Sequence, residues 1–561
     1  MQVRIISVAM LLLIISGAAS AQYNQLYIPD TLSGTNFDLR ARDTFKQMIS
    51  GNQTITAGVN GNWWGPTLIW KKGDVVHITV HNQLQDTTTI HWHGMHLPAI
   101  MDGGPHQTIP PYTSWSPYWQ ITNNAGLYWY HPHLDMHALK QITSGLGGLI
   151  IVRDSIESAL PLPRTYSVDD IPLILTDRRF DGSNQLVDAP YGDSMMANGT
   201  LRAQYNIPAQ VVRLRILNAA TERSYNIGFS DNRNFYIIAT DGGLVDAPVA
   251  VNRLLLSVGE RIEILVNCSG QQGTSIDLKA YNAGLPPGTP GNEPSNFAPP
   301  FGNALGAIDF NILHLNITAQ TSNAISAVPA SLTTNNFYSV SSSQLTRNVT
   351  ISDSIINGPA PTFMLNRRFF NMNYIDYTVP LDHTEIWQIK STSIFSHPFH
   401  IHDIQFYILT RNGVAPPAYQ QGWKDVTLIK GGETITFIAK FSDYSDSLHP
   451  YMFHCHIAGH EDLGMMGQFV VGNSPAGVKN ILNNKMKIYP NPGNGKVYFE
   501  MADNITVTEA VIMSPNGQIV LQAEPNANKG YLDVSSLSNG VYFIKLFDAD
   551  RQPYIKAYLK E

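Results

Sequence analysis

The chain has 561 residues, room for three to five domains of ~150 residues each. Its formal net charge of −7 is mild for that length and gives no basis for binding nucleic acid or an anionic membrane. Charged residues make up only 14%, beside 43 Gly, 34 Pro and 25 Tyr, a balance that fits a β-rich extracellular protein and not a helical cytosolic one. Only two cysteines, Cys268 and Cys455, are present, which excludes a disulfide-dense scaffold. One bridge between them is the plain reading. The other is that metal occupies Cys455 and leaves Cys268 as a buried strand thiol.

In chain order, Arg4, the apolar run Ile5 to Ile15 and the small residues Ala19-Ser20-Ala21 form a signal peptide over residues 1–21, with the mature chain starting near Gln22. The run is short for a membrane span. Next come short alternating strands. Val76, Ile78 and Val80; Val212, Leu214 and Ile216; Ile262, Ile264 and Val266; and Ile435, Phe437, Ala439 and Phe441 each predict a half-buried antiparallel strand by period two. Long amphipathic helical patterns are absent. The segments starting at Gly73, Ala209 and His383 read as one strand in three copies. His91-Trp92-His93 follows the first copy and His400-Ile401-His402 the third, whereas Asn218-Ala219-Ala220-Thr221 follows the second. Residues 284 to 306, rich in Pro, Gly and Asn, predict a long loop. After Val471 a linker leads to a small β module with hairpin turns at Pro515-Asn516-Gly517 and Ser538-Asn539-Gly540.

Ten of the 18 histidines fall in four clusters: 91 and 93; 131 and 133; 397, 400 and 402; 454, 456 and 460. A strand puts residues i and i+2 on one face, so each His-X-His pair aims two imidazoles into one space. Matched pairs in the first and third repeats can supply eight nitrogen ligands to a shared site. Imidazoles alone would suit zinc, copper, iron or nickel. Cys455 narrows the choice, because a thiolate, two imidazoles and a distant thioether make an electron-transfer copper site, and His397, His460 and Met465 stand at hand. A structural zinc site is the rival, but it would leave eight imidazoles unexplained.

His91-Trp92-His93-Gly94, His131-Pro132-His133, His397-Pro398-Phe399-His400-Ile401-His402 and the run from His454 to Met466 resemble the four copper motifs of three-domain multicopper oxidases. The similarity spans roughly residues 40 to 472 and is greatest to the bacterial laccase-like group, with spore-coat laccase, bilirubin oxidase and the cuprous oxidases. It implies an all-β chain of three cupredoxin-like Greek-key domains, at 22–155, 156–320 (without ligands) and 321–472. It also implies four copper ions. His397, Cys455, His460 and axial Met465 would hold the type 1 copper, and His91 and His400 the type 2 copper. The type 3 pair would use His93, His131 and His456 on one ion and His133, His402 and His454 on the other. Cys455 would then pass electrons through its own neighbours. Asp102 and Glu461 match family carboxylates for proton delivery and ligand orientation, although a turn-forming Asp and a solvated Glu are the plainer readings. His96, His106 and His137 fit no ligand position. Met95, Met101, Met136 and Met466 read as packing.

The reaction so implied is one-electron oxidation of a small reductant coupled to reduction of O2 to water. Phenols and aromatic amines, tetrapyrroles such as bilirubin, and cuprous ions compete as donors. Cuprous oxidases carry an Asp and a Met just before His-Pro-Phe-His, where this chain has Ser393 and Phe395, and a methionine-rich insert is missing. A broad laccase-like oxidase is therefore the expectation. A copper-binding protein without turnover is the reading from another class. Beyond the linker at 473–483, Tyr489-Pro490-Asn491-Pro492, Gly540-Val541-Tyr542-Phe543 and the terminal Lys560 resemble a type IX secretion sorting domain over 484–561, a small β-sandwich. That implies export through the periplasm by the type IX machinery to the medium or cell surface. A monomer is the expected state.

Overall fold

The computed structural model describes residues 23–297, 300–354, 362–472, 485–502, 505–514, 518–549 and 553–561. The signal segment, the linker and the Pro515-Asn516-Gly517 turn lie outside the described residues. The chain is mostly strand, and its three α-helices among the described residues are short: Ala138–Ser144, Ser155–Ala159 and Ala458–Asp462. No helix among them is long and apolar enough to cross a membrane.

The three-copy strand occupies the same place each time. Val75–Asn82, Val211–Asn218 and Thr384–Ser391 each pair in parallel with an earlier strand, namely Asn36–Lys46, Asp170–Phe180 and Leu345–Asp353. Each unit so built has two sheets closed over one apolar core. Trp70, Trp92 and Tyr130 fill the first, Phe229, Phe235 and Leu278 the second, and Trp387, Phe437 and Phe453 the third. The strand Asn24–Gln25 crosses over to pair with Ala203–Pro208 of the second unit.

Two expectations need correction. The strands Val211–Asn218 and Arg261–Asn267 are not half-buried. Arg213 and Arg215 are 0% and 1% exposed, and Glu263 opposite Arg215 is 0% exposed. The face read as solvated is closed by an ionic cluster. Arg213 Nε donates to Glu263 at 2.8 Å and its Nη1 to Glu157 at 2.7 Å, while Arg215 reaches Asp170 and Glu263 at 2.6 Å each. Burial opposes the charge on Asp170, but Arg215 and Arg213 hold its carboxyl down at about 2. The second correction concerns Ser538-Asn539-Gly540. The strands on either side, Lys529–Asp533 and Gly540–Asp548, lie in different sheets, so the segment is a crossover and not a hairpin turn.

Removing one member of a buried ion cluster leaves its partners charged and unpaired. Glu263→Ala should therefore lower the stability of the middle unit by about 3–5 kcal/mol, read as an earlier step in urea unfolding followed by limited proteolysis and by hydrogen exchange along Val211–Asn218 and Arg261–Asn267.

Candidate metal centre

The ligand pairs are placed by strand register. His91–His93 runs antiparallel to Gly126–His131, with His91 opposite His131. In the third unit His397–Ile401 runs antiparallel to Asp446–Cys455, with His400 opposite His454 and Phe399 opposite Cys455. Period two turns the next histidine of each pair to the same face. The first and third units meet there, and His91, His93, His131, His133, His400, His402, His454 and His456 are all between 0 and 2% exposed.

Most of these rings are held through one nitrogen by a protein oxygen, leaving the other to face its neighbours. His91 Nδ1 is 3.0 Å from the Asp102 carbonyl, His131 Nδ1 3.0 Å from the Pro132 carbonyl and His454 Nδ1 3.0 Å from the Cys455 carbonyl. His400 Nδ1 lies 2.8 Å from the Asp425 carbonyl, and His402 Nδ1 lies 2.7 Å from Asp102 Oδ2. His93 is reversed, with Nε2 3.1 Å from Asp425 Oδ1. The inward nitrogens then converge. His454 Nε2 is 3.1 Å from His133 Nε2 and 3.3 Å from His402 Nε2. His93 Nδ1 is 3.1 Å from His456 Nε2 and 3.3 Å from His131 Nε2. His91 Nε2 and His400 Nε2 have no hydrogen-bond partner at all. Burial, before any neighbour, drives His456 down to about 3 and lowers His93, His131, His133, His400, His402 and His454 well below the usual range. Neutral imidazoles with lone pairs aimed at common points are the form in which histidine binds a metal ion.

Asp102 and Glu461 are neither solvated nor mere turn residues. Asp102 is 1% exposed and closes the short 3-10 turn Ala99–Met101. Gly103 follows at φ +78°, where a Cβ would lie 1.7 Å from the Ile90 carbonyl, so only glycine lets the loop press Asp102 onto His91 and His402. Glu461 Oε1 lies 3.1 Å from His133 Nδ1, and Oε2 lies 3.5 Å from His454 Nδ1. Burial raises its carboxyl well above the usual range.

The second cluster lies at the end of the same strand. Cys455 Sγ is 3.5 Å from His460 Nδ1 and 3.7 Å from His397 Nδ1, all within 4.8 Å of one another. Met465 is 0% exposed, shares the core cluster of Cys455 and accepts its backbone N–H at 3.1 Å. Burial raises the Cys455 thiol far above its ordinary value and lowers His397 to about 3. A thiol so placed ionises only beside a cation. Cys268 is buried and free, its thiol pushed up to about 11 by burial, so the two cysteines form no bridge. His460 is the one partly exposed member of its cluster, and its ring opens on a cavity of about 150 Å3. Phe363, Phe395 and the loop residues Phe297 and Phe301 line that cavity together with Glu222 and Glu293.

Sequence reasoning missed Asp425, Arg261, Glu222 and Glu293. Asp425 holds His93 and His400 and is itself gripped by both terminal nitrogens of Arg261, at 2.5 and 2.6 Å. None of the four lies in a histidine motif; only tertiary contact brings them in. Of the remaining histidines, His96 bridges Asp403 and Asp443 at 2.8 and 2.9 Å and His106 meets Gln468 at 2.7 Å. Met95 and Met466 are core residues.

Comparison with known proteins agrees with this geometry. Profiles described as multicopper oxidase match residues 43–157, 175–276 and 340–475, and one described as a secretion system C-terminal sorting domain matches 487–559. The multicopper oxidase mco of Staphylococcus haemolyticus is 31% identical over 448 residues, 78% of this chain and 89% of that protein. The cell division protein FtsP of Xenorhabdus nematophila is 32% identical, covering 76% and 86%. Among solved structures, the laccase-like multicopper oxidase CueO from Ochrobactrum sp. superposes with a TM-score of 0.71 at 32% identity, covering 80% of this chain and all of that one. McoA of Aquifex aeolicus gives 0.71 at 26% identity, with the same coverage. Members of the family hold four copper ions, and the donor sets here fit them: two imidazoles and a thiol in one cluster, eight imidazoles in the other. The chain is an oxidase of the multicopper oxidase family, with a C-terminal sorting domain that marks it for secretion or the cell surface.

Proposed function

We propose that this is an exported laccase-like oxidase that takes single electrons from phenols or aromatic amines at His460. The observation that carries the donor class is the cavity against that ring. It is lined by four phenylalanines and by the side chains of Glu222 and Glu293, a mainly apolar lining with carboxyl groups that suits an aromatic ring bearing an acidic O–H or N–H. Copper, when bound, supplies the one-electron acceptor at Cys455 and the four-electron reduction of dioxygen at the histidine cluster. His397, Cys455, His460 and Met465 would hold the type 1 ion, and His91 and His400, through the nitrogens that have no hydrogen-bond partner, the type 2 ion. His93, His131 and His456 form one type 3 set and His133, His402 and His454 the other, in keeping with the distances between their inward nitrogens.

The chain's own residues do the rest. Cys455 joins the two clusters covalently, since His454 and His456 flank it. Asp102 and Glu461 orient ring nitrogens and stand within reach as proton carriers for the water-forming reaction. Tyr191 donates to Glu222 at 2.7 Å, which fixes that carboxyl in the cavity lining, where it can take the proton an oxidised phenol releases. The cuprous-ion reading lacks support at its own position, where Ser393 Oγ lies 3.3 Å from His397 Nε2 and Phe395 lines the cavity. A copper-binding role without turnover, or a cell-division role such as the name of the FtsP relatives denotes, would not require the full set of inward imidazoles. Export through the periplasm by the type IX machinery, a monomeric state and unit boundaries near 155, 320 and 472 belong to the same reading.

Oxygen uptake by the copper-loaded protein with a phenol, bilirubin or Cu(I) tests the donor. The phenol should give the highest kcat/KM; a higher value with either of the others would replace the reading, and no uptake with any donor would refute turnover. Cys455→Ser should abolish the intense blue thiolate-to-copper band and oxygen uptake together. Asp102→Asn and Glu461→Gln should each slow oxygen reduction by about 10–100-fold while the blue band persists. Burial, then the neighbouring Glu293, raises Glu222 to about 8, so the accepting carboxylate forms only as pH rises through that value. Turnover of phenols should rise there in the wild type. In Glu222→Gln that rise should vanish, with ferrocyanide, which has no proton to lose, oxidised at an unchanged rate.

A further inference from the structure

The two sheets of the C-terminal domain differ in how they are covered. In the three-stranded sheet, the strand Lys496–Met501 alternates as expected: Val497, Phe499 and Met501 enter the domain's own core, and Tyr498 is 43% exposed. In the four-stranded sheet that alternation is lost. Along Gly540–Asp548, Tyr542, Ile544 and Leu546 fill the domain's core, yet Phe543 and Lys545, which point the other way, are buried too. Val511 and Met513 repeat the pattern on Val507–Met513. A small β-sandwich standing alone would leave that face wet.

The oxidase body covers it. Val511, Met513 and Phe543 form one cluster with Leu463, and Met136 and Phe369 pack against it. The Phe369 and Phe543 rings meet edge to face at 4.8 Å. In the middle of this apolar contact, Lys545 Nζ donates to Asp135 Oδ2 at 2.6 Å, with the lysine side chain 1% exposed. A buried ammonium on an apolar sheet face is tolerable only when paired, so Lys545 is fitted to the docked arrangement and not to a free domain.

The body's half of this contact includes, beside Phe369, two segments that carry ligand histidines. Asp135 and Met136 follow His133, and Leu463 lies between Glu461 and Met465. Asp462 ties the two segments together by accepting the backbone N–H groups of Ala138 and Leu139, in the first turn of the helix that follows His137, at 2.9 and 3.0 Å. We infer that the sorting domain is a built-in binding partner of the oxidase body. The outer face of its four-stranded sheet docks on the loop at 133–137 and on the segment 458–465, the short helix Ala458–Asp462 with the turn after it; it remains bound when the connecting segment 473–484 is cut, and braces those two segments. Anything that binds only the docked form of a loop stabilises it by mass action, so bracing and docking are two readings of one equilibrium. The inference rests on these contacts alone and does not depend on the electron donor. It also means that export factors meet the opposite face, which carries Tyr489, Tyr498 and Tyr531, unless they first undock the domain.

The test uses the full chain with a specific protease site placed in 473–484 and cut after folding. The fragment from 485 to 561 should co-elute with the body in size exclusion at ~10 μM, a concentration that retains a micromolar complex. Asp135→Lys and Lys545→Asp should each weaken binding about 100-fold or more, and the two together should restore it to within about 10-fold. Phe369→Ser, on the body alone, should weaken it about 10-fold or more without touching the fold of the sorting domain. Backbone hydrogen exchange at 134–139 and 458–465 should quicken when the cut domain is separated and slow again when it is added back. Separation of the cut wild-type fragment at that concentration, failure of Phe369→Ser to weaken binding, or exchange unchanged by its removal would overturn the inference.

Discussion

The structure depends on one demanding arrangement: eight buried imidazoles whose free nitrogens point at one another across the seam between the first and third units. Each ring brings a nitrogen into the buried seam, and several of those nitrogens lie 3.1 to 3.3 Å from the next. Such groups are costly to bury without a partner, and bound cations would satisfy them together. Much of the surrounding fold keeps the rings from turning away. Carbonyls of Pro132, Cys455, Asp102 and Asp425 fix four of them, and the carboxylates of Asp102 and Asp425 fix two more.

The middle unit contributes no histidine to either cluster and yet completes both. Arg261 holds the Asp425 carboxylate, which holds His93, while the Asp425 carbonyl holds His400, so one clamped residue meets rings from the first and third units. Gly259 lies against His456, where a Cβ would approach the ring to 2.9 Å. Glu222 and the loop with Phe297 and Phe301 form one wall of the cavity over His460. A unit without ligand histidines of its own thus serves as a scaffold for ligand orientation and for the cavity beside His460.

What could be read in the sequence follows from distance along the chain. His-X-His works at a spacing of two and Cys455, His460 and Met465 within ten residues, so strand period and local spacing exposed the ligands. Asp102 and Glu461 were legible only because they sit beside those motifs. Arg261 and Asp425 are 164 residues apart, and neither has a local pattern to distinguish it from a surface charge. The alternating arginines of Val211–Asn218 misled for a related reason: period two identifies the two faces of a strand, but not whether a second layer covers the polar one. In the C-terminal domain the burial of Lys545 was beyond the sequence for the same reason: strand period does not show that the oxidase body covers that face.

The most direct test of the account is the copper content of purified, reconstituted protein, measured by mass spectrometry alongside its paramagnetic signal. The account predicts four copper ions per chain in the wild type and three in Cys455→Ser, with the blue site lost and the histidine cluster still filled. A wild-type chain that takes up one ion, or none, at saturating copper would contradict it.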